Sequence, residues 1–147
     1  MSDSRSVRAL VLALCAACLV AVSIAAVAAG PTLSAPDALE KSRAGEITLI
    51  DIRTPREWRQ TGIAEGALPI DMRSKTFVQK ILAAVDGDKD APIAIICRTG
   101  NRTTYTQKAL RQMGFTNVYN VKEGMAGSGS GPGWVRRGLP VEGCQTC

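Results

Sequence analysis

The chain contains no histidine. That single absence excludes the Ser-His-Asp triad, the Cys-His dyad, the two-histidine zinc helix, histidine-ligated haem and every imidazole proton shuttle. There is no excess of one charge strong enough to argue for nucleic acid: 18 basic residues against 13 acidic give +5, a mild and diffuse balance that suits small anions. No internal repeat is visible. Asp86-Gly87-Asp88-Lys89-Asp90 begins like a calcium loop but has Ala91 where the sixth position needs glycine and Cys97 where the twelfth needs glutamate, so it reads as an acidic turn before a strand. With 147 residues, 46% of them hydrophobic and 21% charged, the chain has room for one globular domain and little else.

Arg5 and Arg8 precede an alanine-rich, uncharged run from Ala9 to Ala29, and Gly30-Pro31 ends it. Residues 1–29 read as a signal peptide, with cleavage after Ala28 or Ala29, or as an uncleaved N-terminal anchor. Either way residues 30–147 are expected outside the cytosol, most simply in a periplasm, and at a membrane only if the leader stays attached. Cys15 and Cys18 fall within this run as small apolar residues. Three cysteines remain, Cys97, Cys144 and Cys147, an odd number where structural cysteines usually pair, which suggests that one is kept free.

Strand and helix signals alternate along the rest. Ser34-Ala35-Pro36-Asp37 opens a short helix, Ile47 to Ile50 is a β-branched strand ending at Asp51, and Thr54-Pro55 caps a second helix. Ala67 to Ile70 suggests a short strand and Phe77 to Val85 a helix. Pro92 to Ile96 is the most hydrophobic strand, Thr103 to Met113 a helix closed by Gly114, and Asn117 to Val121 a last strand. This alternation predicts an α/β domain with a parallel sheet, in which reactive groups gather where strands end and helices begin.

Cys97 stands at such a place. Arg98, Thr99, Gly100, Asn101 and Arg102 form a short loop from the buried strand into the next helix. Loop amides, the positive helix end and the two arginines are expected to favour a thiolate and to cradle an anion, so a nucleophile and an oxyanion site coincide. No histidine is needed beside a nucleophile that is already ionised. Asn101-Arg102-Thr103 also matches a glycosylation sequon, a pattern common by chance.

At these residues the chain resembles the rhodanese family of sulfurtransferases, over about Ser34 to Val141. Asp51-Ile52-Arg53 matches the family's strand-end Asp-x-Arg, and Glu57-Trp58 its glutamate-aromatic pair. Gly62-Ile63-Ala64-Glu65-Gly66-Ala67 keeps both glycines of a characteristic turn without its histidine and proline. Cys97 to Arg102 matches the six-residue loop, Gly114 to Val118 the segment after its helix, and Glu123-Gly124-Met125 with Trp134 the closing motif. The resemblance implies a central, mostly parallel sheet with helices on both faces. It also implies a double displacement in which Cys97 takes sulfur from a small anionic donor such as thiosulfate, carries it as a persulfide and passes it to cyanide, a thiol or a protein acceptor. Amides of Arg98 to Arg102 would stabilise the anionic sulfur, the Arg98 and Arg102 side chains would attract the donor, and Asp51 and Arg53 would support the base of the loop. No cofactor and no metal are implied.

Phosphatases and arsenate reductases of the same fold are the rival reading. They place five residues between cysteine and arginine, whereas this chain has four, a smaller bowl suited to a single sulfur. A non-catalytic binding module is the other, and it would not need Cys97. Cys144-Gln145-Thr146-Cys147 reads as a tail disulfide or a resolving pair, with too few ligands for a metal. Gly127 to Gly133 reads as a flexible insertion, with a mobile flap using Trp134, Arg136 and Arg137 as contact surface as the alternative.

Overall fold

The computed structural model describes residues 29–144 and 147; the leader reading falls on residues that lie outside this range, apart from Ala29. Five strands make the main sheet: β1 (Thr32–Leu33), β2 (Thr48–Asp51), β4 (Leu68–Pro69), β5 (Ile93–Ile96) and β6 (Val118–Val121), in the order β1-β6-β5-β2-β4 and parallel throughout. A separate antiparallel pair joins β3 (Ile63–Ala64) to β7 (Val141–Glu142). The helices are α1 (Ala35–Arg43), α2 (Pro55–Thr61), α3 (Phe77–Ala84) and α4 (Asn101–Gln112).

Why this sheet is covered on both faces follows from its central strand. All four residues of β5 are fully buried, and they alternate between two cores. Ala94 and Ile96 pack with Ala38, Leu39 and Trp58 of α1 and α2, while Ile93 and Ile95 pack with Ile81 of α3 and Leu110 of α4. Each isoleucine so buried contributes about 2 to 3 kcal/mol relative to exposure. Polar caps set the helix starts. The Ser34 side chain accepts from the Asp37 amide, and Thr54 and Glu57 form a reciprocal capping box with Pro55 in the first turn.

Two expectations are corrected here. Asn101 and Arg102 belong to the first turn of α4 rather than to a loop, because Gly100 with φ +87° is the N-cap. The Gly127 to Gly133 segment is tied down rather than flexible: Ser128 and Gly131 bridge each other, the Ser128 hydroxyl donates to the Lys122 carbonyl, and the Gly133 amide donates to Glu123. Of the contact surface expected there, Trp134 is wholly buried with its indole N–H on the Pro140 carbonyl and Arg137 is ion-paired to Glu123, which leaves Arg136 exposed.

Glu123 is the knot of this region. Its carboxylate, 2% exposed, accepts from the amides of Ala35 (2.7 Å) and Gly133 (2.8 Å) and from Arg137 (2.8 Å), joining the start of α1 to the glycine-serine loop. Burial alone would raise its pKa; the Arg137 and amide hydrogen bonds outweigh that and hold it below the usual carboxylate range. Glu123→Gln replaces an acceptor by a donor facing amide N–H groups. A loss of about 1 to 3 kcal/mol in urea denaturation is expected, and an unchanged midpoint would show the knot to be dispensable.

Candidate active site

β2 and β5 run side by side with Ile50 beside Ile95 and Asp51 beside Ile96, so Asp51 and Cys97 come to the same end of the sheet. Cys97 is a free cysteine and 1% exposed. Its Sγ accepts the Gly100 N–H at 3.2 Å and lies 3.6 Å from the Thr103 hydroxyl. Thr103 and Thr104 both donate to the Gly100 carbonyl, which fixes the turn from loop to helix.

The loop is gripped from behind by residues 122–126. The Met125 amide donates to the Cys97 carbonyl at 2.8 Å and the Ala126 amide to that of Arg98 at 2.9 Å. Two glycines permit this approach. A Cβ on Gly100 would lie 2.0 Å from the Lys122 carbonyl oxygen, and one on Gly124 would lie 2.5 Å from that of Arg98. Both residues also hold positive φ, which a side chain would strain.

Arg102 is placed differently from the sequence expectation. Its guanidinium is not open to an incoming anion but forms two hydrogen bonds with Glu57, at 2.9 and 2.5 Å, linking α4 to α2. Glu57 thus serves both its capping box and the loop. The Arg102 hydrogen bond, opposed by burial and assisted by Thr54, lowers the Glu57 pKa from 4.5 to about 2. Asp51 and Arg53 form a buried pair beneath, at 2.6 Å, and Arg53 also donates to the Thr61 hydroxyl and the Gly62 carbonyl. The pair therefore joins the end of β2 to the end of α2, and its hydrogen bonds reach none of residues 97–102.

Of the loop residues, the structure brings the Gly100 amide to sulfur, while Arg98 and Asn101 are exposed and Thr99 is half-buried. Thr103, Glu57 and Gly124 were not among the sequence candidates. Thr103 carried a signal, since a hydroxyl in the first turn of a helix after a cysteine loop faces the loop. The partnership of Glu57 with Arg102 spans 45 residues and left none. A cavity of about 330 Å³ opens beside the loop, between Glu57, Gln60 and Thr61 on α2 and Met125, Val135 and Arg136, with Arg98 in its wall. Another, of about 380 Å³, runs along α4 beside Gly30 and shares no lining residue with the loop.

The lowered Glu57 pKa makes the brace acid-resistant. A carboxylate with a depressed folded pKa stabilises the fold fully above its ordinary pKa and loses that contribution as pH falls toward the depressed value. The stability difference between the wild type and Glu57→Gln should be constant above about pH 5 and shrink between about pH 4.5 and pH 2. Urea midpoints at several pH values read this directly; a pH-independent difference would contradict it.

Comparison with known proteins agrees with this architecture. The model of the Rhodanese-like domain family matches residues 34–128. A protein of Allochromatium vinosum described as a sulfurtransferase is 31% identical over 96 residues, covering 65% of this chain and 78% of that one. Among solved structures, the polysulfide-sulfur transferase homodimer of Wolinella succinogenes is similar with a TM-score of 0.59 and 28% identity, over 79% of this chain and 80% of that one. A Rhodopseudomonas palustris protein described as a possible tyrosine phosphatase is also similar, with a TM-score of 0.54 and 25% identity over 76% and 84% of the two chains. The order of strands, the cysteine loop between β5 and α4 and the match over residues 34–128 together make this chain a member of the rhodanese-like domain family.

Proposed function

We propose that the protein is a sulfurtransferase that carries sulfane sulfur as a persulfide on Cys97. The observation that carries this reading is the seat of Sγ, at the end of β5 with the Gly100 N–H aimed at it, in a loop that two backbone hydrogen bonds hold from behind. The thiolate of Cys97 attacks the outer sulfur of thiosulfate or a similar donor. The donor S–S bond breaks and its electron pair leaves with sulfite. An acceptor, cyanide or a thiolate, then attacks the outer sulfur, and Cys97 departs with the pair from the second S–S bond. Neither step calls for a side-chain base, in keeping with a chain that has no histidine. Arg98 supplies positive charge at the entrance, Thr99 completes the loop's backbone, Asn101 opens the helix behind it, and Asp51 with Arg53 braces the neighbouring end of β2.

Phosphoryl transfer is the second reading, favoured by the likeness to the Rhodopseudomonas protein. Two features weigh against it. Four residues rather than five separate Cys97 from Arg102, and the Arg102 guanidinium that would clamp a phosphate is already bound to Glu57. The Ala9 to Ala29 run and the Cys144–Cys147 disulfide support action outside the cytosol, most simply in a periplasm.

Mass spectrometry after incubation with thiosulfate should find one added sulfur, confined to the Cys97 peptide. Cys97→Ser should keep the fold and lose thiosulfate:cyanide activity by roughly a thousandfold or more. Substantial turnover in the folded variant would remove Cys97 from the mechanism. Turnover of phosphate esters comparable with sulfur transfer would reverse the order of the two readings.

A further inference from the structure

Four arginines line or border the cavity beside the loop, and the structure divides them into two kinds. Arg53 is consumed by Asp51, Thr61 and Gly62, and Arg102 by Glu57. Arg98 and Arg136 have no ion-pair or hydrogen-bond partner for their guanidinium groups among the described residues, and both line the cavity. Arg137, the neighbour of Arg136, is spent on Glu123. Two free guanidinium groups in one concave wall are a carboxylate-binding arrangement, since each offers a planar fork of donors.

The rest of the wall is not that of a simple anion site. Ala126 and Val135 add apolar surface to the wall, with the buried Met125 behind them, and the volume of about 330 Å³ lies in the range of pockets for small organic ligands. The carboxylate of Glu57, which also lines the cavity, has its oxygens committed to Arg102 and Thr54. Cys97 does not line the cavity and is nearly sealed. Arg98, its neighbour in the chain, does line it, and a persulfide adds one S–S length, about 2 Å, to the reach of Sγ.

Resting on the sulfur-carrier reading above, we infer that this cavity is the acceptor subsite for an organic thiol bearing a carboxylate, with Arg136 as the residue that selects it. The acceptor lays its carbon skeleton against Ala126 and Val135 and its carboxylate on Arg136 and Arg98. Its thiol gives up its proton to solvent, the resulting thiolate bonds to the outer sulfur, and the Sγ–S bond breaks with its electron pair left on Cys97. The product is the persulfide of the acceptor, and no external oxidant or reductant takes part.

The experiment loads the full-length protein with thiosulfate, removes the excess and reads the Cys97 persulfide by mass before adding an acceptor. Mercaptosuccinate and the neutral 2-mercaptoethanol are compared at equal thiolate concentration, in the wild type and in Arg136→Gln. Arg136 is exposed and unpartnered, so the variant should fold, which a thermal melt verifies. The wild type should prefer mercaptosuccinate in kcat/KM, and Arg136→Gln should lower that preference by about tenfold, mainly through KM, with partial recovery in Arg136→Lys. Equal preference in wild type and Arg136→Gln, with both loaded, would overturn the subsite assignment alone. Absence of any persulfide in the wild type would overturn the sulfur-carrier reading and the subsite with it.

Discussion

Two backbone hydrogen bonds, from the amides of Met125 and Ala126 to the carbonyls of Cys97 and Arg98, fix where the cysteine loop can sit. A loop of four residues between a buried strand and a helix has little freedom left once its first two carbonyls are held, so the Gly100 N–H has one place to point. The two glycines that let the chains approach are therefore part of the same constraint as the hydrogen bonds. Glu123 extends it outward, because the segment that grips the loop is itself anchored through that carboxylate to the start of α1.

The charges around the cysteine loop divide into those that are paired and those left uncommitted. Buried or half-buried ion pairs at Asp51–Arg53 and Glu57–Arg102 add little net stability for their desolvation, yet removing one partner of such a pair strands the other. Their contribution is positional: the first ties β2 to α2, the second ties α2 to α4, and both crossings lie beneath or beside Cys97. What remains uncommitted, Arg98 and Arg136, is confined to the cavity wall.

Much of this was legible in the chain. The three longer strands and the four helices came from hydrophobic runs, caps and prolines, with boundaries within two or three residues, because burial on two faces writes itself as unbroken apolar sequence in β2, β5 and β6. The two-residue strands β1, β3 and β7 carry no pattern of their own; they exist only because tertiary neighbours align them. At the site, Cys97 was legible from its place between strand and helix. The engagement of Arg102 was not, for an arginine in a loop looks the same whether it meets a substrate or a glutamate 45 residues away. Glycine and serine in residues 127–133 likewise suggested mobility, whereas the hydrogen bonds that pin them come from Lys122 and Glu123.

The rims of the main sheet have a consequence of their own. Both outer strands, β1 and β4, are only two residues long, and a proline stands at each: Pro31 immediately before β1 and Pro69 within β4. Proline has no amide hydrogen to offer, and a two-residue edge is too short to template a ladder. Although the interior strands are as hydrophobic and β-branched as aggregating segments, the finished sheet presents them to no other molecule. Growth of the sheet is thus opposed at both of its rims by the strands that end it.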